Sequence, residues 1–260
     1  MEMEAAVLYV VENNVATITL NRPKSLNSMN DALIDGVHAA LDKAQADAEV
    51  KAVVLTGAGK AFCAGGDLSF LNGLESAAEK KSFIAKVGNV AKRITTLPKP
   101  VIALVNGVTA GAGVNLMLAC DLVYASANAR FGESFSKVGL IPDCGGLYFL
   151  PKAIGIHKAK ELMFTADLID AYTAEGLGML NAVYEDAELK DKGYAMADRL
   201  AKSAPLSIEL IKKYLNDVDL TLDEVLNIEE TTQPLLMGTE DCKEGIAAFY
   251  EKRAPKFTGK

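Results

Sequence analysis

The pattern of apolar and polar residues predicts that the chain begins with two short strands. Apolar and β-branched residues dominate segments 7–11 and 15–20, and the polar residues Glu12, Asn13 and Asn14 separate them. Two such runs joined by a short polar segment are typical of an antiparallel hairpin. We therefore expect a hairpin at the start of the fold.

Buried strands and amphipathic helices then alternate along the chain. Asn30 is a suitable N-cap for a helix whose apolar residues recur at helical spacing up to Leu41. Uninterrupted apolar runs predict three further strands, at 50–56, 100–105 and 122–125. Helices are predicted at 79–96 and 111–119. This alternation is typical of a sheet with crossover helices, so the predicted fold class is α/β.

From residue 158 onward the pattern becomes helical. The predicted helices lie at 159–165, 191–203, 207–218, 222–236 and 239–253. A helical region of about 100 residues is suited either to a second layer on the same domain or to an interface between subunits.

Composition and charge exclude several classes of protein. The 260 residues are 50% hydrophobic and 23% charged, which excludes a disordered or collagen-like chain. A net charge of −7 argues against a nucleic-acid partner. Four widely spaced cysteines and two histidines do not predict a metal site.

Two observations bear on location. The segment of residues 1–4 is acidic, and the sequence there has neither the basic nor the apolar region of a signal peptide. We therefore expect a cytoplasmic protein. Residues 100–120 carry no charge, but the polar Asn106, Thr109 and Asn115 and three glycines interrupt them. We interpret this stretch as a buried strand, turn and helix, and expect no membrane partner.

Familiar catalytic and nucleotide-binding motifs do not account for the chain. His38 and His157 fall on predicted amphipathic helices, where packing or surface roles are more common than catalysis. The segment 57–61 lacks most of a phosphate-binding loop. Gly111 and Gly113 supply only half of a dinucleotide fingerprint, because Leu116 occupies the third glycine position.

Two glycine-rich turns, at 61–68 and 106–113, are the strongest candidates for chemistry. Each follows a predicted buried strand, and glycine lets backbone N–H groups face a cavity without an intervening Cβ. The second turn also opens a helix, whose first N–H groups lack intrahelical partners. Together the turns could form an oxyanion hole, although close packing alone would also explain the glycines.

The chain resembles the crotonase, or enoyl-CoA hydratase/isomerase, superfamily over nearly its whole length. The segments that carry the resemblance are 21–27, 61–68, 99–103, 139–146 and 243–253. The resemblance implies a spiral of ββα units with a C-terminal helical trimerisation region, assembled as a homotrimer or hexamer. We accordingly divide the chain into an acyl-CoA-binding core of residues 1–195 and an oligomerisation region of residues 196–260. It also implies that coenzyme A enters as part of the substrate, with no separate cofactor.

By position in the family's motifs, the oxyanion donors are the N–H groups of Gly66 and Ala112. The two positions at which a family hydratase carries glutamates hold Asn115 and Phe135 here, and neither can transfer a proton. Asp143 is the carboxylate that the motifs place near the thioester. Its alternative role is an N-cap for a helix at 145–150. Glu133, two residues before Phe135 and expected on the same strand face, is a second candidate acid.

An acid at position 143 resembles the isomerase branches of the family. These are the Δ3,Δ2-enoyl-CoA isomerases, the dienoyl-CoA isomerases and the ring isomerase of phenylacetate degradation, which segments 135–146 and 255–260 resemble most. We therefore expect an acyl-CoA isomerase. The alternatives are a hydratase with atypical groups, an Asp143 nucleophile acting on an aryl-CoA as in dehalogenases, and a catalytically silent acyl-CoA-binding protein. The absence of tryptophan from the sequence weakens the dehalogenase alternative.

The resemblance also predicts which residues contact the substrate. Coenzyme A is expected to lie against the segment 22–26, the backbone near Ala64 and the basic tail, although the tail lysines could simply be solvated. The predicted contact residues are Arg22, Lys24, Ser25, Leu26, Ala64, Gly66, Asp67, Leu68, Ala112, Asn115, Phe135, Lys252 and Lys256.

Overall fold

The chain forms an α/β fold that begins with the expected hairpin. The computed structural model describes residues 5–217 and 220–260. Its strands are β1 (Val7–Glu12), β2 (Val15–Leu20), β3 (Ala52–Gly57), β4 (Ala61–Cys63), β5 (Val101–Val105), β6 (Val108–Ala110), β7 (Leu122–Ser126), β8 (Arg130–Gly132), β9 (Ile169–Asp170) and β10 (Ala182–Tyr184).

Most of the helices overlap the predicted ones. The helices are α1 (Asp31–Ala46), α2 (Leu68–Asn72), α3 (Ala77–Thr96), α4 (Ala112–Leu118), α5 (Gly146–Ile154), α6 (Ile156–Thr165), α7 (Ala171–Leu177), α8 (Asp186–Ala201), α9 (Pro205–Leu215), α10 (Leu222–Met237) and α11 (Glu240–Glu251). Of these, α2 and α7 were not predicted. Asn30 caps α1 as expected, because its side chain accepts a hydrogen bond from the Leu33 N–H at 3.0 Å. The predicted helix 207–218 ends at Leu215, and Val218 lies outside the described residues.

The larger sheet has the strand order β1-β2-β3-β5-β7-β10, with β1 and β2 antiparallel and the other neighbours parallel. Both of its faces are covered, which explains why β3 and β5 are apolar almost throughout. Val53 and Leu55 pack into the main core with α1 and α3. Val54 and Leu104 point to the other face and pack against Ala197 of α8.

A second sheet has the order β4-β6-β8-β9. Its strands are two or three residues long, too short for alternation to be visible, and segments 61–63 and 108–110 were expected to be parts of turns. Each of β4, β6 and β8 follows a strand of the larger sheet and precedes a helix. The ββα unit therefore repeats along the chain, and the expected spiral with a helical C-terminal region is confirmed.

Helices α8 and α9 connect the C-terminal region to the core. The position chosen to divide the chain, between residues 195 and 196, falls inside α8, a helix that packs on the larger sheet. Helix α9 is tied to the start of β7 by an ion pair in which the Nζ of the buried Lys212 lies 2.7 Å from Asp121 Oδ2. The same carboxylate accepts the Val101 N–H at 2.7 Å, so one group links α9, β5 and β7. In the part of the chain that the structure describes, no helix is both long and apolar enough to cross a bilayer.

Candidate active site

The candidate active site lies where three short parallel strands end. Strands β4, β6 and β8 pair in parallel, so their carboxyl ends meet at one edge of the second sheet. The segments that follow these strands begin at Ala64, Gly111 and Glu133. Crevices at the carboxyl ends of parallel strands are common ligand sites in α/β folds.

The two glycine-rich turns lie against each other at this edge. Gly65 has a φ of +88°, and a Cβ built there would lie 2.8 Å from the carbonyl oxygen of Ala110 and 3.5 Å from the Ala112 nitrogen. Gly113 approaches the backbone even more closely, because its Cβ would lie 2.1 Å from the Cys63 oxygen. Only glycine permits both approaches. Packing therefore explains these two glycines, and the same packing brings the turns together.

The predicted oxyanion donors line one cavity. Ala112 begins α4, so its N–H has no intrahelical acceptor, and within the described chain neither this N–H nor that of Gly66 donates a backbone hydrogen bond. Both residues border a cavity of about 650 Å³. The cavity is lined by Ala64, Gly65, Gly66, Leu68, Leu71, Asn72, Leu74, Lys80, Ile84, Gly111, Ala112, Ser134, Phe135, Val138, Leu140 and Asp143.

Asp143 is the carboxylate that borders this cavity. It lies in the loop between a 3₁₀ turn at Ser136–Val138 and α5. Burial raises the pKa of Asp143 to about 6. The N-cap of α5 is Gly145, and it makes no side-chain capping bond, so the interpretation of Asp143 as the helix cap is wrong. The next residue, Cys144, is buried with a φ of +49°, a backbone strain that fixes the turn beside the carboxylate.

Asn115 lies beneath Asp143 and does not border the cavity. It is fully buried in α4, and its side-chain amide donates to the main-chain oxygen of Asp143 at 2.9 Å. Gly146 leaves it room, because a Cβ there would lie 2.3 Å from the Asn115 amide nitrogen. Asn115 thus holds the Asp143 loop, whereas a direct contact with substrate was expected.

Phe135 and Glu133 differ in position although they are close in sequence. Strand β8 ends at Gly132, so the expectation that the two share a strand face is wrong. The Phe135 ring packs 3.6 Å from the Cβ position of Gly111 and borders the cavity. Glu133 is 2% exposed, does not border the cavity, and has a pKa raised to about 8 by burial and by the nearby Asp143.

The segment predicted to contact coenzyme A runs beside the first turn. Leu26 accepts a hydrogen bond from the Ala64 N–H at 3.0 Å, which brings this segment to the rim of the cavity. Lys24, Ser25 and Leu26 are exposed. None of the residues 22–26 borders the cavity itself.

Asp67, also a predicted contact, is engaged in holding the turn. Its carboxylate lies 2.9 Å from the Arg22 guanidinium and accepts the Phe70 N–H at 3.2 Å, which caps α2. The hydrogen bond from Arg22 lowers the pKa of Asp67 against the opposing effect of burial. The pair joins the segment 22–26 to the first turn.

The two predicted tail contacts lie apart from the cavity in this chain. Lys252 and Lys256 are exposed, and neither borders the cavity. The backbone N–H of Lys256 donates to Glu244, and that carboxylate also pairs with Arg253. Their expected contact with coenzyme A stays a prediction.

The sequence did not reveal the part of the lining that comes from α2, α3 and the segment between them. Leu71, Leu74, Lys80 and Ile84 border the cavity, and Ile84 is 41% exposed. An exposed isoleucine on an otherwise polar helix face was the available signal. The histidines lie elsewhere, as expected: Arg93 contacts the ring of His38, and His157 is exposed. Among the described residues no cluster of three metal-ligating side chains occurs.

Comparison with known proteins confirms the family resemblance along the chain. Residues 11–260 match the family model described as enoyl-CoA hydratase/isomerase. The chain is 40% identical over 258 residues to the 1,2-epoxyphenylacetyl-CoA isomerase of Escherichia coli strain K12, covering 98% of each chain. It is 37% identical over 256 residues to a short-chain-enoyl-CoA hydratase of Clostridium acetobutylicum, covering 97% of each.

The fold is similar to that of a solved relative. A crystal structure of an enoyl-CoA hydratase from Bacillus anthracis superposes with a TM-score of 0.94 at 32% identity, covering 98% of this chain and 100% of the other. The relatives bear the names of both an isomerase and hydratases, so the choice between these reactions depends on the chemistry of the site.

Proposed function

Because the chain belongs to the enoyl-CoA hydratase/isomerase family, we propose that it is an acyl-CoA isomerase with Asp143 as its single acid–base group. The observation that carries the proposal is the composition of the cavity. Asp143 is the carboxylic residue that lines it, together with Gly66 and Ala112. A pKa near 6 leaves Asp143 ionised at neutral pH and close to the proton affinity that suits a general base.

The proposed reaction moves one proton across three carbons. Asp143 removes a proton from C2 of a 3-enoyl thioester, and the electrons of that C–H bond enter a dienolate whose negative charge rests on the thioester oxygen. The N–H groups of Gly66 and Ala112 donate to this oxygen, and one such donor is typically worth about 2.7–4 kcal/mol. Asp143 then returns the proton to C4, the double bond shifts to C2–C3, and the carboxylate is regenerated.

The lining supports an apolar acyl group as the substrate. Six aliphatic residues face the cavity from both sides: Leu68, Leu71, Leu74, Ile84, Val138 and Leu140. An aliphatic chain or a ring would bury apolar surface against them. Coenzyme A would extend past Ala64 and the segment 22–26. Because only a proton moves, the proposed reaction requires no metal or redox cofactor.

Hydration of a 2-enoyl-CoA is the second candidate, and one observation favours it. Glu133 is a further carboxyl group beside Asp143, and addition of water requires groups that both orient the water and protonate carbon. Against it, Glu133 does not border the cavity, and Phe135 makes an apolar wall there. A catalytically silent acyl-CoA-binding protein is the third candidate.

Assembly as a homotrimer or hexamer is proposed from the helical region. Large apolar side chains of α9–α11 are strongly exposed in the single chain, among them Leu215, Leu235 and Phe249. Exposed apolar residues in such numbers are typical of an interface. Sedimentation analysis would test this, and a monomer at all accessible concentrations would contradict it.

Two absorbance assays separate the three functions. The isomerase hypothesis predicts conversion of 3-enoyl-CoA to the conjugated 2-enoyl-CoA, with hydration of 2-enoyl-CoA much slower. Hydration at a rate comparable to isomerisation would overturn the single-acid account. Binding of both thioesters without turnover of either would identify the silent protein.

A further inference from the structure

A cluster of buried oxygen atoms without hydrogen-bond partners lies behind Asp143. The atoms are Asn115 Oδ1, Glu133 Oε1, Glu133 Oε2 and Asp143 Oδ1, and none has a partner among the described residues. One N–H of the Asn115 side-chain amide donates to the main-chain oxygen of Asp143, so a single amide N–H remains for the cluster. Each of these oxygens is an acceptor when the carboxyl groups are ionised. One N–H cannot satisfy four acceptor oxygens, so the cluster is short of donors unless a carboxyl group carries a proton.

The surroundings of Glu133 contain no compensating charge. Within the described chain, the charge of Asp143 raises the pKa of Glu133, and the nearby Asn115 amide lowers it. The thiols of Cys63, from β4, and Cys144, next to Asp143, are fully buried, and burial raises their pKa values, so both stay neutral. An ionised Glu133 would be an unpaired charge beside a second carboxylate, and such a charge is disfavoured at 2% exposure.

We propose that Glu133 is a positioning residue that remains a neutral carboxylic acid while Asp143 is ionised, and that its O–H donates into the Asn115–Glu133–Asp143 cluster. The proton of Glu133 supplies a second donor beside the remaining N–H of Asn115. Asp143 borders the cavity and Glu133 does not, so the ionised partner faces the substrate and the neutral one faces the core. Asymmetry of this kind lets two adjacent carboxyl groups take different roles.

The two environments agree with this assignment. Burial and the charge of Asp143 raise the pKa of Glu133 to about 8, whereas the pKa of Asp143 is about 6. Between these values the pair holds one proton, on Glu133. Above pH 8 Glu133 also ionises and places a second negative charge near the dienolate. The rate should therefore fall on the alkaline side because of Glu133.

The kinetic test compares pH profiles of kcat/KM for 3-enoyl-CoA. This test rests on the proposed isomerase function, because it measures isomerisation. Glu133→Gln keeps a neutral side chain of the same shape. The matched control is Glu188→Gln, at an exposed position on α8. We expect the wild type and the control to lose activity on both sides of the optimum. Glu133→Gln should still lose kcat/KM at acidic pH but should no longer lose it at alkaline pH. An alkaline loss equal to that of the wild type would overturn the proposal.

A titration that needs no turnover tests the same claim independently. The full-length wild-type protein is prepared with ¹³C at its glutamate side-chain carboxyl carbons and followed by NMR as the pH is raised. One glutamate resonance should titrate above neutrality, and it should be missing from Glu133→Gln. The wild-type measurement stands alone if the variant does not fold: titration of every glutamate below about pH 6 would overturn the proposal whatever reaction the protein catalyses.

Discussion

Position relative to the cavity distinguishes two carboxyl groups that are ten residues apart in sequence. Asp143 borders the cavity with its pKa near 6, and Glu133 is enclosed with its pKa near 8. The sequence identified both as candidate acids but could not rank their proton affinities, since these depend on burial by distant segments. It also suggested that Asn115 touches substrate, whereas its amide holds the Asp143 main chain.

The raised pKa of Glu133 predicts how stability changes with pH. The folded pKa lies above the ordinary value of 4.5, so the protonated side chain stabilises the fold below pH 4.5, and this contribution is lost as the pH rises through about 8. Glutamine has no proton to lose. The free energy of unfolding of Glu133→Gln, relative to wild type, should therefore increase by about 1.4 kcal/mol per pH unit between roughly pH 5.5 and 7.5.

Chemical denaturation at several pH values measures this difference. Glu188→Gln is the control, and its unfolding free energy should run parallel to that of the wild type. Parallel curves for Glu133→Gln as well would show that Glu133 ionises equally in the folded and unfolded states.

At the scale of elements, the predictions succeeded where a clear apolar pattern extended over many residues and failed where strands were short. The hairpin β1–β2, helix α1 and the buried strands β3 and β5 each rest on five or more residues of clear pattern. Strands β4, β6 and β8 contain three residues each and are defined by pairing with one another. Nothing local in the sequence specifies that pairing. The pairing nevertheless sets the position of both glycine-rich turns.

Contact between the turns predicts a large effect from one methyl group. In Gly65→Ala the new Cβ would meet the Ala110 oxygen at 2.8 Å, at a φ of +88° that alanine adopts poorly. We expect destabilisation of about 1–3 kcal/mol. Because the turns would separate, the N–H groups of Gly66 and Ala112 would move apart, and kcat should fall more than KM rises.

Gly88→Ala is the matched control for this substitution. Gly88 lies inside α3, and a Cβ there would meet nothing within 4 Å. Alanine should stabilise that helix by about 0.5–1 kcal/mol and leave kcat unchanged. Thermal unfolding and steady-state kinetics measure stability and kcat for both variants. Equal changes in stability and kcat at the two positions would contradict the role assigned to the turn contact.

At the scale of the whole molecule, the end of the chain is held in place by acidic residues of α11. Asp241 accepts the N–H groups of Thr258 and Gly259 at 2.6 and 2.8 Å, and its own N–H donates to the oxygen of Lys260 at 3.1 Å. The sequence showed a basic tail but not the carboxylates that fix it. Lys252 and Lys256 are thus presented on an ordered segment, away from the cavity of the same chain.

The tail lysines are predicted to act on binding and not on chemistry. Replacing both, in Lys252→Ala/Lys256→Ala, should raise KM for acyl-CoA and weaken its dependence on salt, because lysine–phosphate attraction is screened by ions. The value of kcat should stay near that of the wild type. Lys202→Ala, which removes a lysine exposed on the surface and paired with Asp198, is the control. An unchanged KM in the double variant would mean that the tail is only solvated.

The most direct test of the whole account is the replacement of Asp143 by asparagine, which keeps size and polarity and removes the base. We predict that Asp143→Asn binds acyl-CoA with near wild-type affinity, measured by calorimetry, and that kcat/KM for 3-enoyl-CoA falls well over tenfold, or more than about 1.4 kcal/mol of transition-state stabilisation. Asp167→Asn, at an exposed position, should retain full activity. Retention of more than about a tenth of kcat/KM by Asp143→Asn would contradict the assignment of Asp143 as the single acid–base group.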